Sequence, residues 1–182
     1  FVKPANLGSS VGISKAVSRE ELEDAIQFAF RFDDTVIVER AITGQELECS
    51  ILGNETIEAS IAGEVIPGKE FYDYEDKYVD GKARTLIPAR ISEEDQSRVR
   101  ALAVRVGHTL NLEGMARVDF FREAESGTIF LNEVNTIPGF TSISMYGKMW
   151  EASGLSYPDL LRRLVRLAIQ RHQRRAGLSF AR

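Results

Sequence analysis

Three things are scarce in this 182-residue sequence, and each scarcity excludes a class of protein. Cysteine occurs once, as Cys49, so the chain has no internal disulfide framework and suits a reducing compartment. Apolar runs are short, and none approaches the roughly 20 residues that a helix needs to span a bilayer. Excess positive charge is lacking as well. The 23 Lys and Arg stand against 27 Asp and Glu, and the net charge of −4 argues against general affinity for nucleic acid. What is present is ordinary globular material, 43% hydrophobic and 27% charged.

The opening Phe1-Val2-Lys3-Pro4 reads as the end of a strand without its pairing partners, so upstream sequence is expected. Residues 1–17 read as strand, Gly/Ser loop (Leu7-Gly8-Ser9-Ser10-Val11-Gly12) and strand. Ser18 and Glu21 have capping-box spacing, and the helix after them aligns Leu22, Ala25, Ile26 and Ala29 before Asp33-Asp34 ends it. The β-branched run around Val36-Ile37-Val38 predicts a strand, and residues 45–66 predict two more, broken near Gly53-Asn54. Residues 67–84 interleave Phe71, Tyr72, Tyr74 and Tyr78 with charges, which marks a long functional loop.

Ser92 caps a second helix, with Val99, Leu102, Ala103, Val106 and Leu110 on its inner face. Residues 115–121 and 128–134 form a hairpin with a polar turn around Glu125-Ser126-Gly127. Residues 135–147 read as an irregular loop. Pro158 opens a last helix whose Leu160, Leu161, Leu164, Val165 and Ala168 face inward, ahead of a fraying basic tail at residues 171–175. Hairpins between irregularly spaced helices predict an α+β or mixed α/β fold, not a doubly wound sheet.

The hairpin carries the most chemistry. Alternate residues of a strand share a face, so Arg117, Asp119 and Phe121 point one way, as do Leu131, Glu133 and Asn135. A turn centred at Ser126 puts Asp119 opposite Glu133 and Arg117 opposite Asn135, with Cβ atoms roughly 4.5–5.5 Å apart. Two carboxylates that close repel unless positive charge lies between them. Arg117 supplies part of it. A divalent cation would supply more, and the all-oxygen set of Asp119, Glu133 and the Asn135 amide suits Mg²⁺. The same residues also fit a solvated sheet face with an ordinary cross-strand salt bridge.

Lys3 followed by Gly8-Ser9-Ser10-Val11-Gly12 has the makings of a phosphate cradle: close backbone approach, donors and a cation. It is not a Walker A motif, because no Gly-Lys-Ser/Thr closes it, and a flexible hairpin loop is the alternative. The run from Val36 through Glu39, Arg40 and Ile42 to Glu46 could present backbone to a flat base and a carboxylate to a ribose. By composition alone it is a plain strand end.

In order along the chain, four stretches resemble the D-alanine–D-alanine ligase family of the ATP-grasp superfamily, over roughly residues 1–165. They are Phe-Val-Lys-Pro-x-x-x-Gly-Ser-Ser-Val-Gly, Phe-Tyr-Asp-Tyr-Glu-x-Lys-Tyr, Gly-x-x-Arg-Val-Asp and Asn-Glu-Val-Asn-Thr-Ile-Pro-Gly-Phe-Thr-Ser-x-Ser. The resemblance implies an ATP-grasp α+β fold. Residues 1–43 would be part of the central lid subdomain and 44–182 the C-terminal catalytic domain, with the family's N-terminal domain absent from this chain. It also implies a cytoplasmic enzyme, homodimeric at full length, acting on D-alanine and ATP with no nucleic-acid or membrane partner. Two Mg²⁺ ions, replaceable by Mn²⁺, would serve it.

Residue by residue, the resemblance implies that Lys3 contacts the ATP phosphates beneath a lid formed by Gly8, Ser9 and Ser10. Glu39, Arg40 and the backbone to Ile42 would hold adenine, and Glu46 ribose. Asp119, Glu133 and Asn135 would bind the metal ions, and Lys77 the γ-phosphate. Arg117 and the Gly139 amide would form an oxyanion site. Ser144 and the backbone at Met145 would take the second D-alanine's carboxylate, and Ser9 would meet Tyr78. Tyr78 argues for an amine nucleophile, since related D-alanine–D-lactate ligases differ there. Two positions depart from the family: Leu7 stands where a glutamate is frequent, and Arg40 where a lysine is common. The competing expectations are another ATP-grasp carboxylate–amine ligase and a non-catalytic nucleotide-binding module.

Overall fold

The structure is a computed structural model, and it describes residues 1–8, 10–66, 84–141 and 143–178. The aromatic loop with Lys77 and Tyr78, and also Ser9, lie outside the described residues. Two compact units divide the chain, one beginning with Phe1–Thr43 and a larger one comprising Gly44–Val65 and Thr85–Arg182.

In the smaller unit, β1 (Val2–Pro4) pairs antiparallel with β2 (Val36–Val38). Helix α1 (Arg19–Ala29) covers that pair, and its Leu22, Ala25, Ile26 and Ala29 pack against Val2 and Val36, the face that its periodicity predicts. Ser18 Oγ accepts from the Glu21 amide at 3.2 Å, while the Glu21 carboxylate accepts from the Val17 amide, one residue short of the capping-box partner. Asp33 does not end the helix, which stops at Ala29. Its carboxylate instead accepts from the Asn6 and Thr35 amides, which hold its pKa below the ordinary value. The strand expected before residue 17 shrinks to one bridge, Val2 to Ser14. Gly12, at φ +74°, lies against Pro4 and Phe32, where a Cβ would clash.

The larger unit is built on β3 (Gly44–Gly53). One edge pairs along its whole length with β7 (Gly114–Glu123), and the other with β4 (Ile57–Ala59) and β5 (Gly63–Ile66). β6 (Arg84–Leu86) and β8 (Ile129–Asn135) flank this six-stranded sheet. On one face Leu47, Cys49, Ile51, Ala116, Val118 and Phe120 meet α2 (Glu93–Thr109) through Val99 and Ala103. Each large side chain buried there contributes about 1.5–3 kcal/mol. Burial pushes the Cys49 thiol up to about 12, so it behaves as packing material and not as a nucleophile. Elsewhere Leu52 clusters with Tyr146 and Trp150 of α3 (Met145–Ala152) and Leu160 of α4 (Tyr157–Ala176).

Ser92 Oγ accepts from the Asp95 amide at 3.1 Å, the cap that the sequence predicts. Ser92→Ala is expected to lower stability by about 1 kcal/mol without touching the site, measured as a fall in denaturation midpoint.

Four expectations are corrected. Leu110 falls past the end of α2 and is exposed. The expected loop 135–147 ends early, because Met145 begins α3, a helix of eight residues with Gly147 inside it and no side-chain cap. On α4 only Leu160 is buried, with Leu164 and Leu167 packed beside it, whereas Leu161 and Val165 face outward. The basic tail does not fray early. The helix runs to Ala176, held by Arg171 and Arg174 on Glu113. Among the described residues, no helix is long and apolar enough to cross a membrane.

Candidate active site

The register of β3, β7 and β8 lays out the site. Glu48, Asp119 and Glu133 are directly paired across the three strands, and Ser50, Arg117 and Asn135 form the next row. Paired residues share a sheet face, so three acids lie in one line. The hairpin register that the sequence predicts is present. Leu131 departs from it: the register shifts after Asp119, so Leu131 pairs with Phe120 and Asn132 is left as the extra residue. Such a bulge re-aims the strand beside a site.

Arg117 is the hub of the row. Its Nε and Nη2 donate to both oxygens of Asp119 at 2.7 Å, a bidentate pair, and Nε lies 3.4 Å from Glu48 Oε1. Burial works against its charge. The Asp119 hydrogen bonds and the fields of Glu48, Asp119 and Glu133 outweigh that, so the guanidinium pKa is raised. Asp119 is only 3% exposed and Glu48 7%. Among the described residues, one guanidinium lies close to all three carboxylates of the row.

The donor set fits a hard divalent cation. Asn135 Nδ2 donates to Asp119 Oδ2 at 3.0 Å and Glu133 Oε1 at 3.2 Å, so the amide already bridges the two acids. Turning the amide over would present Oδ1 to a cation held between the same groups. Among the described residues, no three acids, cysteines or histidines close round one point. The two acids and the amide that the sequence pairs thus stand together, with Glu48 Oε1 3.4 Å from Arg117 Nε.

Beyond Asn135 the loop folds back on itself. Ser144 Oγ accepts from the Thr141 amide at 3.0 Å and lies 2.9 Å from Thr141 Oγ1, and a Cβ on Gly139 would meet that Oγ at 2.8 Å. Ser144 is also the N-cap residue of α3, although its side chain makes no capping bond. Met145 is buried, and its methyl group packs where a Cβ on Gly63 would sit. Glu46 stands two residues before Glu48 on the same strand face, paired with Phe121.

In the smaller unit, Lys3 Nζ pairs with Glu39 Oε2 at 2.8 Å, across the antiparallel β1–β2 pair. Ser10 takes φ +61°, and Gly8 has open space where a side chain would be, which leaves its backbone accessible. Arg40 is exposed and Ile42 half-buried. Glu48 is the residue that sequence reasoning missed. The signal was present in Glu46-Leu47-Glu48-Cys49-Ser50, polar on one face and apolar on the other.

An antiparallel α+β sheet presenting this row of acids, amide and arginine belongs to the ATP-grasp class of fold. The match to known proteins is more particular: residues 1–166 fit the family model described as D-ala D-ala ligase C-terminus, and the chain belongs to that family. It is 56% identical over 173 residues to a D-alanine–D-alanine ligase of Thermoanaerobacter pseudethanolicus, covering 94% of this chain and 48% of that protein. The structure of the D-alanine–D-alanine ligase from Coxiella burnetii superposes with a TM-score of 0.86 at 42% identity, over 97% of this chain and 46% of that one. The VanG D-Ala:D-Ser ligase of Enterococcus faecalis superposes at 0.81 and 41% identity, over 92% and 48%. The chain spans about half the length of the curated relatives it matches.

Proposed function

We propose that the chain carries the catalytic machinery of an ATP- and Mg²⁺-dependent ligase that joins two D-alanines through a D-alanyl phosphate, for peptidoglycan precursors made in the cytoplasm. The observation that carries this reading is the cross-strand set of Asp119, Glu133 and Asn135 beside Arg117. The family membership and the D-alanine–D-alanine ligases among the relatives support it.

Residues 1–43 serve as part of the lid subdomain and 44–182 as the catalytic domain. In the former, Lys3 neutralises phosphate charge, Glu39, Arg40 and the backbone to Ile42 seat the base, and Gly8, Ser9 and Ser10 close over the phosphates. In the latter, Glu46 takes the ribose, and Asp119, Glu133 and Asn135 hold Mg²⁺ or Mn²⁺, two ions in all. Bound metal supplies charge neutralisation at the phosphates. The carboxylate of the first D-alanine attacks the γ-phosphorus, with Lys77 at the transferring group, and ADP leaves. The amine of the second D-alanine then attacks the acyl carbon and phosphate departs. Arg117 and the Gly139 amide stabilise the oxyanion formed there. Ser144 and the Met145 backbone hold the second substrate's carboxylate. Loops 7–12 and 68–84, joined through Ser9 and Tyr78, keep water from the acyl phosphate. We read the full-length enzyme as a homodimer without nucleic-acid or membrane partners.

The test is phosphate release by the full-length protein with ATP, Mg²⁺ and D-alanine. Release should require D-alanine, cease with a chelator, and fall when L-alanine or D-lactate is the co-substrate. ATP binding without D-alanine-dependent turnover would favour a nucleotide-binding module. The D-Ala:D-Ser ligase among the structural neighbours supplies the second reading, and D-serine belongs in the same assay.

The loop geometry adds a prediction. In Gly139→Ala the new methyl collides with Ser144 Oγ. The KM for the second D-alanine should rise about tenfold, with a melting temperature close to that of the parent. An unchanged KM removes Ser144 from the substrate site.

A further inference from the structure

We infer that Glu48 is a positioning residue for Arg117, the carboxylate that keeps the guanidinium in place when Asp119 turns to a divalent cation; the inference rests on the ligase reading of the same site. Asp119 has two competing uses. In the structure both its oxygens accept from Arg117 at 2.7 Å and Oδ2 also accepts from the Asn135 amide, while on the ligase reading the same carboxylate is a ligand of the cation. A carboxylate that gives electron density to a cation holds a guanidinium less strongly, so Arg117 needs a second anchor.

Glu48 has the placement for it. It stands on β3 directly across from Asp119, with Ser50 across from Arg117. It is on the opposite side of Asp119 from Glu133, and 3.4 Å separates its Oε1 from Arg117 Nε. It lies in the inner strand of the sheet and is nearly buried, so its charge acts through little solvent. On the ligase reading the cation's ligands are Asp119, Glu133 and Asn135, and Glu48 lies on the far side of Asp119 from the other two. Its pull on Arg117 therefore sets how easily Asp119 is released and where the guanidinium points after release.

The test is a double-mutant cycle in the full-length enzyme, with Glu48→Gln and Arg117→Ala singly and together. Alone, E48Q should lower kcat about tenfold with KM for ATP little changed, and weaken Mn²⁺ binding, followed by electron paramagnetic resonance, by a similar factor. In the R117A background the same substitution should change each quantity less than about threefold, because the residue it acts through is gone. Glu48→Asp, which keeps the charge, should recover part of the loss; a role in packing alone would give no such rescue. Equal effects of E48Q in both backgrounds, or wild-type kcat and Mn²⁺ affinity in E48Q, overturn the proposal. If E48Q melts early, E48D carries the kcat comparison and Mn²⁺ titration of folded protein carries the binding one. Should the parent enzyme release no phosphate with D-alanine, the ligase reading falls and the Mn²⁺ cycle still decides Glu48.

Discussion

Asp119→Asn is expected to reduce turnover by about 10³-fold or more, while moving the melting temperature by only a few degrees. The first half follows from the proposed ligand set. Of the two acids, Asp119 is the buried one, and the asparagine keeps one oxygen but loses the charge that draws a cation and phosphates together. Several kcal/mol of charge stabilisation is the usual worth of such a metal, and each 1.36 kcal/mol is about a factor of ten. The second half follows from the surplus of acids. Losing one partner of a buried ion pair ordinarily costs about 3–5 kcal/mol, because an uncompensated charge remains. Here Arg117 still has Glu48 at 3.4 Å and the field of Glu133, and one of three mutually repelling carboxylates is gone. Phosphate release, Mn²⁺ titration and a thermal melt of the same sample check both halves. Undiminished turnover would end the metal assignment. A collapse in melting temperature would make Asp119 chiefly Arg117's counter-ion.

The hairpin of this site was legible because its rules are local. Antiparallel pairing with a turn near Ser126 fixes which residues face each other, and the polar–apolar alternation fixes the face. The bulge at Asn132 was not legible. Nothing in Leu131-Asn132-Glu133 distinguishes a regular strand from one with an extra residue, since the shift is set by how β8 must meet β7. Glu48 was missed for a related reason. Its polarity within an apolar strand was visible, but its meaning depends on the long-range pairing of β3 with β7, some 70 residues away in sequence.

The helices divide in the same way. Ser18 and Ser92 announce their helices because a cap is a contact between neighbours in sequence. The buried face of α4 is decided by what lies beneath it. Leu160, Leu164 and Leu167 meet Tyr146, Trp150 and Leu52, a narrow contact between one helix and a short neighbour. Periodicity gives an apolar stripe and not its width, so Leu161 and Val165 looked equally inward. α3 itself is short and interrupted by Gly147, too brief for a periodic signal. The part proposed for residues 139–145 came only by resemblance, because the Gly139 amide and the Met145 backbone would act through their position, and composition does not encode that.

Arg117→Ala is expected to change two quantities in opposite directions. Turnover should fall about 10²- to 10³-fold, the usual loss on removing one preorganised oxyanion donor. Mn²⁺ binding should instead tighten by about tenfold, equivalent to about 1.4 kcal/mol. The sign comes from the electrostatics of the row. Both Asp119 oxygens are engaged by the guanidinium, so a cation must displace it or share it. Without Arg117, the paired Asp119 and Glu133 lose the guanidinium that lies between them and a cation, and a divalent ion is the best available relief. The same repulsion predicts that metal-free R117A melts below the parent and that saturating Mn²⁺ restores part of the difference, since a ligand that binds only the folded state stabilises it by mass action. A residue that merely braced the sheet would lower activity and weaken metal binding together. Opposite movement is the signature of a guanidinium that competes with the metal for Asp119 and serves the reacting carbonyl once displaced. If R117A loses Mn²⁺ affinity, then Arg117 supports the metal site instead of sharing it, and its oxyanion role must be sought elsewhere.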